Sequence, residues 1–465
     1  MKRFNHKIVI LGVLITSFLS SCKDSFLELS PYTQVPNEVA VSTEADLLVA
    51  LRGTYAQLRS ANLFGRTIPV IGDLGADNVF LSSRNSGRYF AFDQYVITTA
   101  NADYEGYWNN AYTAILRANN IIDAKLTENA NVNQIKGEAY AIRALLYFNL
   151  VRSFSKSGEL ASEGVPIVLH YDPTLKPKRN TVQEVYTQIQ SDLDKAYTSM
   201  TEYTGSARFS KFAARALAAK VSFYQGDYDK ALTYSTEVIN SSGFTLVTAD
   251  KVAAYWASPA SNTSTVKTET LFEVSADATL NVGTDELGYI YNQAGYGDLL
   301  ANEELYKLYS DTDVRKKLIT IGSRAQAENP AYIVNKYQNV AGDRDDKKVL
   351  RLSEVYLIAA ESAARTNKET DALKYLNALI AQRDPGFVYA STGATLIEDI
   401  ITERRKELAF EGDRFFDLNR LKRDIVRVGG KYQIRNVPYT SNFRIGPIPQ
   451  TERNANPNIS QNPGY

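Results

Sequence analysis

Residues 219–234 read AKVSFYQGDYDKALTY, and residues 360–375 read AESAARTNKETDALKY. Ala219 and Ala360 stand seven residues before Gly226 and Asn367, and Ala231 and Ala372 stand five after them. Leu232 and Leu373, then Tyr234 and Tyr375, follow in both, and Ile239 and Ile380 close each segment at the same offset. Glycine or asparagine at the break suits a chain that must turn left-handed between two helices. Each segment therefore reads as a helix hairpin. Ala218, Ala219, Ser222 and Ala231 are small enough to let helices approach closely. Hairpins of this kind stack side by side, each burying the face its neighbour leaves open.

Outward from the repeat, apolar residues recur at three- and four-residue spacing in further segments: Trp108–Leu126, Val132–Phe154, Val182–Met200, Lys211–Tyr224, Tyr228–Ile239, Val349–Arg365 and Asp371–Gln382. Gly137–Phe154 supplies another repeat helix, and Trp108, on one face with Ile115, is assigned to the core. The pattern resembles tetratricopeptide repeats, with Gly226-Asp227-Tyr228 as a hairpin tip. Residues 60–107 and 243–347 differ: Gly, Asn, Asp, Ser and aromatics dominate, with short possible strands such as Leu271–Ser275. These are loop-rich excursions, where binding residues often reside. After Gly429 the chain turns rich in Pro and Asn and reads as an irregular strap over the surface. The expected fold is mostly α, a tetratricopeptide-like helix-pair scaffold with loop-rich, small-β excursions.

The chain begins with Lys2, Arg3 and Lys7, then an apolar run from Ile8 to Leu19, then Leu19-Ser20-Ser21-Cys22. A charged start, a short apolar middle and small residues before a cut describe a secretory signal peptide over residues 1–21. Cys22 is the single cysteine of the chain. It can form no internal disulfide, and its position resembles a bacterial lipobox, which implies acylation of Cys22 and a tether to a membrane. Loss of three basic residues from a balance of 52 basic and 52 acidic leaves a slight negative charge, the opposite of a nucleic-acid-binding surface.

Three further stretches carry a wider resemblance. They are Glu403-Arg404-Arg405-Lys406-Glu407-Leu408-Ala409-Phe410-Glu411-Gly412-Asp413-Arg414-Phe415-Phe416-Asp417, the ending Gly446-Pro447-Ile448-Pro449-Gln450 with Gln461-Asn462-Pro463-Gly464-Tyr465, and Arg351-Leu352-Ser353-Glu354-Val355-Tyr356-Leu357 before Ala359-Ala360-Glu361. With Phe26-Leu27-Glu28-Leu29-Ser30-Pro31 near the start, they are similar to the SusD/RagB family. Arg444-Ile445-Gly446 departs from the pattern, in which apolar residues and leucine usually precede the Pro-Ile-Pro. The resemblance implies an N-terminal region over residues 22–225 and a C-terminal region over 226–465, interleaved as one large globule. It implies a lipid-anchored, surface-exposed outer-membrane protein that acts as a ligand-binding lid on a TonB-dependent transporter barrel. No cofactor, metal, nucleic-acid partner or catalytic residue follows from it.

The residues themselves argue the same way. Glu403, Glu407, Glu411, Asp413 and Asp417 could suggest a carboxylate-pair glycosidase. Glu411 with Arg414 and Asp417 with Arg420 are each three apart, however, and read as ion pairs across a helical turn. His170 is the sole histidine left after the leader, which leaves little for a triad or a multi-histidine metal site. Asp311 and Asp313 suit a cap or turn better than calcium, which needs six or more oxygens. Binding residues are sought in the excursions: Asp77, Asn78, Arg84, Arg88, Tyr89 and Phe92 in one, Trp256, Tyr289, Tyr291 and Tyr296 in the other. Flat sugar faces pack on aromatic rings while amide, carboxylate and guanidinium groups bridge hydroxyls. The expected ligand is a nutrient oligosaccharide. An oligopeptide is the alternative, and a scaffold that binds only other proteins a third.

Overall fold

The computed structural model describes residues 41–257, 267–430, 432 and 434–465. The leader and Cys22 lie outside the described residues. The longer helices are α1 Glu44–Leu58, α2 Thr67–Leu74, α3 Ala102–Asp123, α4 Ala130–Phe154, α5 Val182–Ser199, α6 Lys211–Gln225, α7 Tyr228–Ser241, α8 Leu352–Arg365, α9 Glu369–Ile380, α10 Gly393–Glu407 and α11 Arg414–Arg420. Their starts follow from side chains that satisfy the free N–H groups of a first turn. Thr43 with Asp46 and Thr181 with Glu184 form reciprocal capping boxes. Asn101, Asn129, Ser210 and Asp227 cap α3, α4, α6 and α7.

The helices stack in sequence order: α3 on α4, α4 on α5, α5 on α6, α6 on α7, α7 on α8, and α8 on both α9 and α10. The expected repeat is the middle of this stack. Gly226 (φ +80°) and Asn367 (φ +59°) both take the left-handed conformation that ends α6 and α8. Ala219, Ala231, Ala360 and Ala372 are completely buried between the paired helices.

The helix α4 departs from simple amphipathicity, because it is buried almost all round. A helix in that position must pair every polar side chain it carries inward. Arg143 grips Asp192 of α5 through two bonds of 2.8 and 2.7 Å. Glu138 accepts from Arg208 at 2.9 and 2.6 Å and from the Tyr55 hydroxyl at 2.7 Å.

Between α7 and α8, which pack together, the chain makes its long excursion. Strands β2 (Thr270–Val274) and β6 (Lys347–Arg351) pair antiparallel at its base. Strand β6 occupies residues expected as the first turn of a helix from Val349; the helix begins at Leu352, once the ladder ends. A second antiparallel sheet has the order β1-β3-β5-β4, formed by Val79–Leu81, Leu299–Ala301, Ala331–Val334 and Ile319–Gly322. Its β1–β3 pairing sets Val79 against Ala301 and Leu81 against Leu299, so the two excursions meet at this seam.

Two expectations need correction. Residues 60–107 are not all loop: α2 is buried along its whole length, and α3 starts at Ala102, not at Trp108. Trp108 itself is core, 5.0 Å from the Phe154 ring. The C-terminal strap is also stitched inward, with Ile448 and Ile459 buried. The Gly446 N–H donates to the Ser153 carbonyl at 2.7 Å, and the Asn462 amide to the Phe154 and Gly446 carbonyls at 2.8 and 2.7 Å. Among the described residues no helix is long and apolar enough to cross a membrane.

Candidate ligand-binding site

The carboxylates that could suggest hydrolysis are fully occupied by cations. Glu407 accepts from Arg315, Arg351 and Arg383 at 2.8–3.2 Å. Burial works to raise its pKa, but the three guanidiniums overcome that and hold it well below the usual carboxylate range. Glu403 pairs with Arg315 and Lys406. Asp417 and Arg420 meet as expected, at 3.3 Å. Glu411 does not meet Arg414: it pairs with Arg351 and Lys336, while Arg414 reaches Asp77. The reason is local. Phe410 (φ +69°) and Gly412 (φ +84°) break the helix between α10 and α11, so residues three apart no longer share a face. Asp313 caps a single turn over Val314–Leu318 and pairs with Arg315. His170 is exposed and lies 2.8 Å from Asp123. Among the described residues no group of His, Cys, Asp and Glu could hold a metal ion.

Of the ten loop residues expected at the ligand, six are internal. Asp77 takes two bonds from Arg414, at 2.7 and 2.9 Å, and Asn78 accepts from Arg405 at 2.8 Å. They precede the buried strand β1, where the arginines of α10 and α11 can reach them. Tyr89 and Phe92 pack edge to face, and the Tyr89 hydroxyl accepts from Arg66 at 2.7 Å. Tyr291 stacks on Tyr337 and donates to Asp73 at 2.9 Å. Trp256 is buried among Lys336, Lys348 and Arg351, 3.9–5.1 Å from its ring. Each of these residues already has a protein partner, Asn78 through its amide oxygen alone, so they build the frame beneath a surface.

The other four, Arg84, Arg88, Tyr289 and Tyr296, converge on that surface. Strand β1 leads into residues 82–90 and the segment 285–298 leads into β3, so the ladder carries both loops to one edge. Ser82 N–H donates to the Asp298 carbonyl at 2.8 Å, and Ser86 N–H to the Asp298 carboxylate at 2.8 Å. Glu328 ties down Ser82 and Ser83 from the far side. Tyr296 and Tyr289 are half-buried, with ring centroids 5.7 Å apart. The Arg88 guanidinium lies 4.2 Å from the Tyr296 ring centroid and 3.8 Å from Asp285. Arg344 sits 5.4 Å from the Tyr289 ring, and Arg324 donates to the Arg84 carbonyl at 2.8 Å. Phe90, 52% exposed, follows Tyr89, which adopts a left-handed conformation (φ +59°). Paired aromatic faces, guanidinium donors and the Asp285 acceptor make a surface suited to a polyhydroxylated ligand. Arg66, Asp285, Arg324 and Arg344 were not among the expected residues; no local motif marks them, and contacts between distant segments bring them in.

A second concave surface opens between the end of α5, the start of α6 and the end of α7. It is a cleft of about 430 Å³ lined by Tyr203, Lys211, Phe212, Phe244 and Thr268. It holds none of the expected residues.

Comparison with known proteins gives a consistent picture. Residues 25–223 match a family described as starch-binding and associating with the outer membrane, and residues 328–465 match the SusD family. A SusD-like protein of Formosa agariphila is 27% identical over the full length of both chains. A proposed sugar-binding protein from Bacteroides vulgatus has a similar structure, with a TM-score of 0.84, 30% identity, and coverage of 92% of this chain and 99% of that one. A SusD superfamily protein from Bacteroides thetaiotaomicron gives a TM-score of 0.82 at 28% identity, covering 90% and 100%.

Proposed function

Because this chain belongs to the SusD/RagB family, whose members are outer-membrane lipoproteins that bind nutrients and are not enzymes, we propose that it captures an oligosaccharide at the cell surface and delivers it to a partner TonB-dependent transporter. In this reading residues 1–21 are removed, Cys22 carries the anchor, and residues 22–225 and 226–465 fold as interleaved halves of one globule. The observation that carries the ligand assignment is the Tyr289–Tyr296 pair beside Arg88 and Asp285. Its rings supply stacking area, and its charged groups supply the directional bonds that sugar hydroxyls need. Arg84 and Arg88 remain in the proposed site. Asp77, Asn78, Tyr89, Phe92, Trp256 and Tyr291 act beneath it as support.

Calorimetric titration of the chain from residue 23 onward, against panels of oligosaccharides and oligopeptides, tests the proposal. One glycan class binds, and Tyr296→Ala or Tyr289→Ala weakens it at least tenfold, a loss of about 1.4 kcal/mol. Tyr203→Ala, in the other cleft, leaves it unchanged. Glycan binding that survives both site substitutions refutes the placement, and peptide binding without any glycan signal replaces the oligosaccharide with an oligopeptide.

A further inference from the structure

The arginines around the Tyr289–Tyr296 pair are short of acceptors. Inside the molecule Arg143 is set on Asp192, Arg414 on Asp77, and Arg427 on the carbonyls of Leu74, Ala76 and Asp93. Arg84, by contrast, is exposed, and among the described residues only its backbone is engaged: its N–H donates to Ser82 Oγ at 3.1 Å and its carbonyl accepts from Arg324 at 2.8 Å. The same Arg324 Nη2 donates to the Tyr296 carbonyl, which holds Arg84 beside the ring pair. Arg324 Nε is sealed from solvent, whereas Nη1 is not and has no partner among the described residues. In Arg344, Nη1 donates to the Val340 carbonyl and Nε is sealed, but Nη2 stays open, with the guanidinium carbon 5.4 Å from the Tyr289 ring centroid. The Arg88 side chain is 35% exposed, and its one carboxylate, Asp285, lies 3.8 Å away and is already bonded to Arg66.

The other carboxylates nearby are engaged from below. Asp298 is buried and accepts from the Ser86 N–H and hydroxyl; Glu328 is buried and accepts from Ser82 and Ser83. Asp103 acts on Arg66 and Arg88 through space, and burial raises its pKa. Asp343, next to Arg344 in the chain, adds one more negative charge. Formal charge is therefore nearly balanced, but hydrogen bonding is not: open donors outnumber open acceptors. Arg84 and Arg324 also repel. Burial, and then the Arg84 charge, lower the Arg324 pKa against the pull of Asp298 and Glu328. A sugar hydroxyl both gives and takes hydrogen bonds, whereas a guanidinium only gives them and a carboxylate or sulfate only takes them. An anionic group at Arg84 and Arg324 fills the open donors and relieves the repulsion; a neutral sugar does only the first.

We propose that the Tyr289–Tyr296 surface takes an acidic oligosaccharide, with its rings on the tyrosines, its carboxylate or sulfate groups on the Arg84 and Arg324 guanidiniums, and Arg88 and Arg344 at the flanks. This rests on the glycan reading of the same surface. The test is calorimetric titration with matched pairs: tetragalacturonate against its methyl ester, and a sulfated carrageenan tetrasaccharide against its desulfated form, with tetraglutamate as an acidic peptide. At least one acidic saccharide binds about tenfold tighter than its neutral counterpart, as one charge-assisted bond provides. The difference shrinks as sodium chloride rises from about 0.05 to 0.3 M. Preference for the uronate identifies a carboxylate, and preference for the carrageenan a sulfate. Arg84→Gln, at an exposed position, closes most of the gap between acidic and neutral forms, and Arg324→Gln does the same. Equal or tighter binding of the neutral forms, silence from both acidic saccharides beside binding of a neutral one, or a preference that survives both substitutions overturns the acidic assignment and leaves the glycan reading standing. Tetraglutamate binding without any saccharide, or silence from every saccharide, overturns both.

Discussion

Substituting Gly72 by alanine tests how the C-terminal hallmark is held against the frame. Gly72 lies within α2, where alanine ordinarily improves a helix by about 1 kcal/mol. Here a Cβ would stand 1.8 Å from the Gly412 carbonyl oxygen, 2.4 Å from its carbon and 2.7 Å from its Cα. All three are backbone atoms, so no side chain can swing away. Reaching an ordinary contact of about 3.5 Å requires the two backbones to part by roughly 1.7 Å. That movement breaks the bond from the Gly412 N–H to Asp73, now 3.1 Å, and loosens Phe415 and Phe416 against the core. Overpacking costs about 1–3 kcal/mol and the lost bond about 1 kcal/mol, against the helix gain. The expected net loss is about 1–3 kcal/mol. Urea denaturation followed by circular dichroism reads it as a lower midpoint at unchanged slope. Gly53→Ala is the matched control: that glycine also lies in a helix, α1, but its Cβ would meet nothing within 4 Å, so the midpoint should rise. A Gly72→Ala protein as stable as the native one, or more so, refutes the close-contact argument.

Asp73 gives a pH signature. Burial raises its pKa to about 8, so it keeps its proton in the folded state at neutral pH. An acid raised on folding makes the folded chain take up a proton between pH 3.8 and about 8, and stability falls as pH rises through that window. The slope it adds approaches about 1.4 kcal/mol per pH unit. Asp73→Asn should flatten that slope in midpoints measured between pH 5 and 8, and parallel curves for the two proteins would contradict the assignment. Cys22→Ala should move the protein from the membrane to the soluble fraction when it is expressed without its transporter, since one protein–protein contact and one lipid anchor are then both absent. Continued membrane association would rule out the lipid anchor.

The helical frame was legible because its decisive signals are local. Gly226 and Asn367 mark positions where few residues tolerate a positive φ, and the alanines around them sit where a close helix pair demands small side chains. The ligand surface was legible in part. Loop composition led to Arg84, Arg88, Tyr289 and Tyr296, but it led equally to Trp256, whose burial depends on Lys336, Lys348 and Arg351, some eighty or more residues away. Local spacing also misled at Glu411 and Arg414. Their separation suits a helix, and the intervening Gly412 is what breaks it. Asp285 and Arg344 carried no sequence signal: Asp285 is placed by its pairing with Arg66 and Arg88, some two hundred residues earlier, and Arg344 meets the Tyr289 ring from a segment 55 residues further on.

The buried pairing of Glu403, Glu407 and Glu411 also bears on how the chain is made. Arg315, Arg351, Arg383 and Lys336 all precede these carboxylates in the sequence; Asp313 and Glu269 also pair with the three arginines, while Lys336 pairs with Glu411. A nascent chain that has emerged only as far as residue 400 has these four cations but only Glu269 and Asp313 of the carboxylates that pair with them, and closing its interior around the surplus charge costs several kcal/mol. Completion of the last segment is then what commits the whole molecule to its native state. A prematurely terminated product remains open to proteases, so the fold itself distinguishes a finished polypeptide from a fragment.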